Sequence, residues 1–237
     1  MSKAANTQPP QIAHLSITLD GVTPKVNRIV AVPLGIGLDT LHLVIQAAMG
    51  WSNTHLWLFR ARGCSWGVPD PDFGFGDGPS DASRTTLIDM IADIGTNRFE
   101  YVYDFGDHWS HTIKIVKPMP AAPGVAYPLL IDAVGRCPLE DSGGPPGYMD
   151  LIEALHDPSH PRHSEALDWP GPGFDPTATD STKLEKDVAD LAKLMTPRRR
   201  RPAKARTTFG VRQSEVRSGL KAPIAVPTLR VANRRSR

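Results

Sequence analysis

Residues 99–115, FEYVYDFGDHWSHTIKI, constrain the fold of this chain more than any other stretch. Two runs rich in aromatic and β-branched residues flank a short segment with aspartate and glycine, which is the pattern of an antiparallel β-hairpin. The hairpin also carries Asp104, Asp107, His108 and His111 within eight positions. The stretch is therefore both a predicted structural element and a candidate functional cluster.

The role of this hairpin depends on the length of its turn. If Gly106 and Asp107 form a two-residue turn, Asp104 and His111 are diagonal neighbours on one face, close enough to hydrogen-bond or to share a ligand. A three-residue turn reverses the parity and puts His111 on the face of the tyrosines. In a purely structural interpretation, Asp104 accepts hydrogen bonds from turn amides, Trp109 supplies buried area and His111 donates to a carbonyl.

The rest of the domain predicts paired strands and separate helices. Strand pairs are expected around two turns, Asp20-Gly21 and Arg62-Gly63. Apolar residues at helical spacing predict helices at 40–49, about 87–94, near 148–156 and about 181–195. Asp39 or Thr40 is the expected N-cap of the first helix, and a long irregular connection is expected after Pro118. Because strands and helices do not alternate strictly, we predict an α+β fold: a single domain of paired, mostly antiparallel strands with several packed helices.

Charge divides the chain into two parts. Residues 197–237 hold 13 Lys or Arg residues against a single acid, whereas residues 1–196 hold 14 against 24 acids. The basic part lacks hydrophobic periodicity and is rich in Arg, Pro, Ser and Thr, which predicts disorder. We therefore expect a flexible N-terminus over 1–10, an α+β domain over 11–196 and a disordered basic tail over 197–237.

The basic tail is a candidate nucleic-acid-binding segment. A run of arginines neutralises backbone phosphates and gives salt-sensitive, sequence-independent binding to DNA or RNA. A solvated extension without a partner is the alternative interpretation. The candidate residues are Arg198, Arg199, Arg200, Arg201, Lys204 and Arg206.

Composition argues against membrane-embedded and disulfide-stabilised classes. With 40% hydrophobic residues, the chain can bury a core of its own. It has no apolar run of about eighteen residues, and its first residues lack the apolar centre of a secretory signal. Its two cysteines are too few for a disulfide framework. We expect a soluble, cytoplasmic protein with no membrane partner.

Four separated segments occur in one order: LHLVIQAAMGWSNTHLWLF, YVYDFGDHWSHTI, CPLEDSGGPPGYMDLIEAL and DPSHPRHSEALDW. Together they resemble the plasmid pRiA ORF-three-like domain family, over about residues 11–195. The resemblance implies a single α+β domain and an association with plasmids or mobile elements in bacteria. Members often carry the label of an insertion-element passenger with a resolvase-type name, but this sequence lacks a clear Ser and Arg constellation for strand exchange.

The chain departs from the family pattern at several positions. Asn27, Trp57 and Ser142 stand where members often have Trp, His and Cys, respectively. A cysteine that usually precedes GRCP is missing as well, which leaves Cys137 alone in this region. A cysteine-rich zinc site is therefore not expected.

Residues from the shared segments form the candidate pocket, and some have the chemistry of a metal site. If they converge, neutral imidazoles and carboxylates suit Zn²⁺ or Mn²⁺ and leave a coordination position for water. The metal candidates are His55, Asp104, His111, Glu140 and Asp141, and the wider pocket adds Tyr103, Asp107 and Trp109. In the alternative interpretation, Glu140 and Asp141 only form the glycine-rich turn and cap the helix that follows.

Three functions are compatible with these patterns. The first is a binding or accessory module of a mobile element that contacts nucleic acid through the tail. The second is a divalent-metal-dependent enzyme, of hydrolytic type, that uses the His, Asp and Glu residues above. The third is a protein-interaction module whose acidic domain binds a basic partner or its own tail. The sequence favours a non-enzymatic role and leaves the substrate and the oligomeric state open.

Overall fold

The computed structural model describes residues 10–69, 78–116, 118–171 and 173–195. Within these ranges nine strands form one sheet: β1 Gln11–Leu19, β2 Asn27–Pro33, β3 Trp57–Ala61, β4 Cys64–Gly67, β5 Ser80–Asp81, β6 Arg98–Tyr103, β7 Trp109–Ile115, β8 Met119–Pro120 and β9 Leu129–Val134. The same ranges contain five α-helices: α1 Leu38–Met49, α2 Leu87–Ile94, α3 Gly144–His156, α4 His163–Asp168 and α5 Ser181–Met195. The predicted α+β class is confirmed.

Short connections explain why the sheet is almost entirely antiparallel. The strands lie in the order β5-β4-β3-β6-β7-β1-β2-β9, and β8 pairs with β1. Only β4 and β5 run parallel among the pairs that the described residues form. The predicted turn at Arg62-Gly63 has φ values of +50° and +83°, as expected for a two-residue hairpin. Both predicted strand pairs are confirmed.

The helices follow the apolar spacing, but two of them begin earlier than predicted. The N-cap of α1 is Gly37, so the expectation of Asp39 or Thr40 is wrong; Asp39 lies in the first turn, where a carboxylate interacts favourably with the helix dipole. Helix α3 begins at Gly144, four residues before the predicted start. Prolines 145 and 146 occupy its first turn, where the missing N–H groups need no helical partner.

The segment after Pro118 is the main error in the predicted elements. It was expected to be irregular, but it contains β8 and β9. Strand β9 pairs with β2 at one end of the sheet, with a register shift between Ile29 and Val30. The burial along β9 does not alternate, so its sequence lacks the period of two that marks most half-buried strands.

The main core lies on one face of the sheet. Helix α1 packs there with Leu41, Val44, Ile45 and Ala48, the stripe that a period of 3.6 residues produces. The opposing sheet residues include Leu15, Ile17, Phe59, Tyr101, His111 and Ile113, all at most 2% exposed. Among the described residues, no helix has the length and apolarity needed to cross a bilayer. The basic tail and residues 1–9 lie outside the described residues.

Candidate metal centre

The register of the hairpin separates Asp104 from His111. Strands β6 and β7 pair Tyr101 with His111 and Tyr103 with Trp109, so the loop between them spans residues 104–108. This loop has an odd number of residues, like the three-residue alternative, so His111 lies on the same face of the sheet as the tyrosines. The structure excludes the two-residue alternative, in which Asp104 and His111 are diagonal neighbours on one face, and has the parity of the other.

Asp104 has both of the roles considered for it. Its φ of +57° takes the chain out of the strand, and its Oδ1 accepts hydrogen bonds from the N–H groups of Gly106 (2.9 Å) and Asp107 (3.3 Å). Its carbonyl accepts from the N–H of His108 at 2.6 Å. These bonds are those of a turn-forming aspartate. The second carboxylate oxygen, Oδ2, faces His55 instead, at 3.6 Å from its Nδ1.

The glycine-rich segment before α3 lies against this loop. Gly143 donates its N–H to Asp107 Oδ2 at 3.1 Å. Gly144 has a φ of +67°, and a Cβ there would lie 2.2 Å from the Asp107 carbonyl oxygen. Only glycine permits this approach of two backbones. Asp107, predicted as a pocket residue, therefore joins the two loops, and Asp141 is held nearby in a left-handed conformation at φ +59°.

Glu140 forms hydrogen bonds to a third segment, which follows α1. Its Oε2 accepts hydrogen bonds from the N–H of Ser52, at 3.0 Å, and from the Ser52 hydroxyl. Its Oε1 accepts from the Tyr103 hydroxyl at 2.5 Å, and Tyr103 Oη accepts from the N–H of Thr54 at 3.0 Å. Burial tends to raise the pKa of Glu140, but the bonds from Ser52 and Tyr103 outweigh it and hold that pKa below its ordinary value. Burial and the contact with Glu140 raise the pKa of Tyr103.

His55, Asp104 and Asp141 converge where the three segments meet. The His55 Nε2 atom lies 3.4 Å from Asp141 Oδ1, and one potential ligand atom from each residue lies within 4.8 Å of the others. Although it is close to Asp141, Nε2 is buried and makes no hydrogen bond within the described residues. One imidazole and two carboxylates on three separate loops form a donor set that suits a divalent cation.

The predicted metal set thus divides into three parts. His55, Asp104 and Asp141 form the cluster, and Glu140 lies beside it with both carboxylate oxygens already accepting hydrogen bonds. His111 is fully buried, and its Nδ1 lies 3.2 Å from the Tyr101 carbonyl oxygen, as in the structural interpretation. Burial lowers the pKa of His111 to about 4, so this ring is neutral at pH 7.

The two aromatic residues of the predicted pocket, Tyr103 and Trp109, are buried. The Trp109 side chain is fully buried, and its ring is 5.9 Å from that of Trp51. The Tyr103 ring meets the His55 ring edge-on at 5.7 Å between centroids. Apart from the Tyr103 hydroxyl described above, these two side chains contribute buried packing area rather than polar ligand atoms.

A buried polar network supports the segment that carries His55. It was not predicted from the sequence. Gln46 donates to Tyr101 Oη at 2.9 Å, and Tyr101 Oη lies 2.7 Å from His42 Nδ1. Since Tyr101 then donates to Nδ1, the proton of His42 is on Nε2, which donates to Asn53 Oδ1 at 2.6 Å. Asn53 has a φ of +58° two residues before His55. His42 and Gln46, four apart on the apolar face of α1, were the available signal for this network.

The predicted nucleic-acid contacts Arg198, Arg199, Arg200, Arg201, Lys204 and Arg206 lie outside the described residues.

Comparison with known proteins relates this fold and its loops to one family. The profile of the family described as Plasmid pRiA4b ORF-3-like protein matches residues 11–183. The uncharacterized protein y4hQ of Sinorhizobium fredii (strain NBRC 101917 / NGR234) is 49% identical over 182 residues, which cover 76% of this chain and 92% of y4hQ. The crystal structure of the protein of unknown function MM3350 from Methanosarcina mazei Go1 is 30% identical, with a TM-score of 0.67, and the match covers 76% of this chain and 99% of MM3350. The chain belongs to the plasmid pRiA4b ORF-3-like protein family.

Proposed function

We propose that this protein binds a divalent cation, Zn²⁺ or Mn²⁺, through His55, Asp104 and Asp141. The observation that carries the proposal is the convergence of one imidazole and two carboxylates, whose ligand atoms lie within 4.8 Å of one another. The buried Nε2 of His55, which makes no hydrogen bond within the described residues, gives further support. A buried polar atom that makes no hydrogen bond is costly, and a cation at this point would remove that cost.

The exposure of the site suggests the chemistry that such an ion would support. The Asp141 side chain is 76% exposed, whereas that of Asp104 is only 11% exposed. A cation held by three protein groups at this boundary keeps coordination positions open to water. Because a metal-bound water is the usual nucleophile of hydrolytic metalloenzymes, hydrolysis is the reaction class that this site suits.

Titration of the metal-free full-length protein tests the proposal. We expect ZnCl₂ or MnCl₂ to bind with one-to-one stoichiometry in calorimetry and to raise the thermal unfolding midpoint, because a ligand that binds only the folded state stabilises it. Asp104→Asn and Asp141→Asn keep the side-chain size but remove a charge, and each should weaken binding by about tenfold or more. Residues 197–237 contain no His or Cys and a single acid, so the tail adds no competing ligand set.

His160→Ala is the matched control. His160 Nε2 lies 3.5 Å from Asp150 Oδ1, a distance similar to those around His55. Asp150, however, is already paired with Arg162 at 2.5 Å, so this pair is neutralised. The control should bind metal like the parent protein. Absence of stoichiometric binding for both ions, or equal affinities in Asp104→Asn and His160→Ala, would contradict the proposal.

A second function, nucleic-acid binding, is favoured by the charge of the tail. Residues 197–237 carry 13 Lys or Arg residues against one acid, whereas the rest of the chain is acidic. Such a segment binds phosphates without reading base sequence. We infer an accessory role on the nucleic acid of a plasmid or mobile element, in line with the plasmid-derived description of the family.

Fluorescence anisotropy with labelled duplex DNA and RNA tests this second function. Full-length protein should bind both with an affinity that falls steeply with salt, and a chain ending at residue 196 should lose the binding and its salt dependence. Unchanged affinity after truncation would refute a role for the tail. A defined protein complex that forms without metal or nucleic acid would favour the protein-interaction module instead.

A further inference from the structure

A cavity of about 580 Å³ has Glu140, the neighbour of the His55 cluster, in its wall. Its walls come from β2, the end of α1, the segment 136–140 and the start of α5, and they include Arg28, Trp51, Arg136, Glu140 and Lys183. This volume is within the range of about 300 to 1,000 Å³ that is typical of small-molecule sites. The cavity is therefore large enough for a metabolite-sized ligand.

Arg28 brings a buried positive charge to the wall of this cavity. The residue is 1% exposed. Its Nε donates to the Ala48 carbonyl at 2.7 Å, and its Nη1 donates to the carbonyls of Asn27 and Val134, both at 2.8 Å. Within the described residues, Nη2 donates no hydrogen bond and no carboxylate lies within 4.0 Å of the guanidinium. Three carbonyls thus orient the group, and the acid that acts on its charge, Asp132, lies beyond ion-pair distance.

Burial without an ion-pair partner is unfavourable for a guanidinium. It lowers the pKa of Arg28, although an arginine in a protein stays protonated. The charge of Asp132 offsets this cost only in part, because burial is still the largest influence on the pKa of Arg28. An anion in the cavity would offset the rest.

A second arginine, Arg136, lies on the same cavity, and the acid that acts on its charge, Asp175, lies beyond ion-pair distance. The Arg136 guanidinium stacks on the Phe174 ring at 4.6 Å, and its side chain makes no hydrogen bond or ion pair within the part of the chain that the structure describes. The wall also holds two carboxylates, each with hydrogen-bond donors of its own: Glu140 accepts from Ser52 and Tyr103, and Asp180 accepts from the N–H of Lys183 at 3.0 Å. Cys137 adds no negative charge, because burial raises the pKa of its thiol to about 12.

We propose that this cavity binds the oxyanion group of a small molecule, a phosphate or a carboxylate, between Arg28 and Arg136. Guanidinium groups donate paired N–H bonds that match the oxygens of either group. Lys183 also lines the cavity, and its ammonium group is paired with Asp187 at 2.7 Å. The proposal is independent of the metal site, because none of His55, Asp104 and Asp141 lines the cavity.

NMR of the isotope-labelled full-length protein tests the proposal through the Arg28 Nε–H signal. Sodium phosphate and sodium acetate are titrated separately, with sodium chloride at equal ionic strength as the reference. We expect a saturable shift of this signal with phosphate or acetate but not with chloride. The anion that saturates at the lower concentration identifies the group as phosphoryl or carboxylate.

Two variants leave Arg28 in place and so preserve its structural hydrogen bonds. Arg136→Gln should weaken binding at least tenfold, whereas Arg98→Gln, at an exposed strand end, should not. A second matched pair lies on α5: Lys183→Gln should weaken binding about threefold, and Lys186→Gln should leave it unchanged. Both lysines form an i,i+4 pair with an aspartate, at 2.7 and 2.9 Å, so the two changes have similar effects on the helix.

Because every variant keeps the same basic tail, non-specific anion binding is equal in all of them. The proposal is overturned if neither phosphate nor acetate gives a saturable shift, which would leave Arg28 as a purely structural residue. It is also overturned if Lys183→Gln and Lys186→Gln bind equally while Arg136→Gln retains the parental affinity.

Discussion

His42 and His111 lie in the core, whereas His55 lies at the rim where three loops meet. The core residues are 2% and 0% exposed, and the His55 side chain is 28% exposed. Burial lowers the pKa of both core residues to about 4, so they are neutral members of the packed interior. His55 instead faces two carboxylates. The comparison teaches that position relative to the sheet separates the two structural histidines from the one that we propose as a metal ligand.

Removal of the His111 ring should have the largest effect on stability. His111→Ala empties space beside Trp51 and Tyr101, whose rings lie 5.4 and 5.2 Å away. We expect the free energy of unfolding to fall by about 3 kcal/mol, as for other large-to-small core changes. Urea denaturation measures this loss. A loss below about 1 kcal/mol would contradict a structural role for His111 in the core.

The contact between the two rim loops is tested by a pair of glycine variants. Gly144→Ala puts a Cβ 2.2 Å from the Asp107 carbonyl oxygen, whereas Gly95→Ala has a similar positive φ and nothing within 4 Å. Both changes strain the backbone, but only the first forces the loops apart. We expect Gly144→Ala to cost about 2 kcal/mol more than Gly95→Ala in urea denaturation.

Metal titration of the same two variants extends the test to the site. Gly144→Ala should also weaken Zn²⁺ binding, since Asp104 and Asp141 lie on the two loops that it separates. Equal stability and equal metal affinity in the two variants would show that the approach of the loops does not hold the site together.

Acid should destabilise the protein through the core histidines. Their pKa is about 4 in the folded state, against 6.5 for an ordinary histidine, so the unfolded state binds protons first as the pH falls. The stabilisation is fully present above pH 6.5 and is lost progressively down to about pH 4. Linkage gives a loss of roughly 2 kcal/mol per histidine between pH 7.5 and 5.

Urea denaturation across this pH range measures the loss. The variant His55→Ala keeps both core histidines and should follow the same pH profile as the parent protein. A flat profile between pH 7.5 and 5 in the parent would contradict the assignment of His42 and His111 as buried neutral groups.

His55→Ala itself should have the smallest effect on stability. Its contacts with Asp104 and Asp141 lie at a partly exposed position, where ion pairs contribute at most about 1 kcal/mol. We expect a change in unfolding free energy below that value, together with loss of metal binding in calorimetry. A large loss of stability with retained metal affinity would show that His55 is a structural residue, like the core histidines, and not a metal ligand.

Sequence patterns predicted most of the elements because their signals are local. The stripe of Leu41, Val44 and Ile45 and the turn at Arg62-Gly63 depend only on neighbouring residues. Strand β9 was missed because its burial pattern does not alternate. The register of the β6–β7 hairpin was also not determined by sequence, because it depends on Asp104 taking a left-handed conformation that lengthens the loop to residue 108.

The residues of the candidate site were named from the sequence, but their arrangement in space was not predicted. Asp104 and Asp141 were candidates from their motifs, yet their convergence depends on Gly144, whose approach to Asp107 brings two distant loops together. His111 was included because it is close to Asp104 in sequence. The odd number of residues in the hairpin loop puts it on the face of the tyrosines, away from the cluster. The support from His42 through Asn53 links a helix to a loop, which a local pattern does not reveal.

Anomalous diffraction from crystals soaked in Zn²⁺ tests the central claim most directly. We predict a peak at the zinc absorption edge between His55, Asp104 and Asp141, about 2.0 to 2.2 Å from nitrogen and oxygen ligands. Absence of a peak at this position, with zinc found instead at an exposed histidine such as His156, would contradict the proposed metal centre.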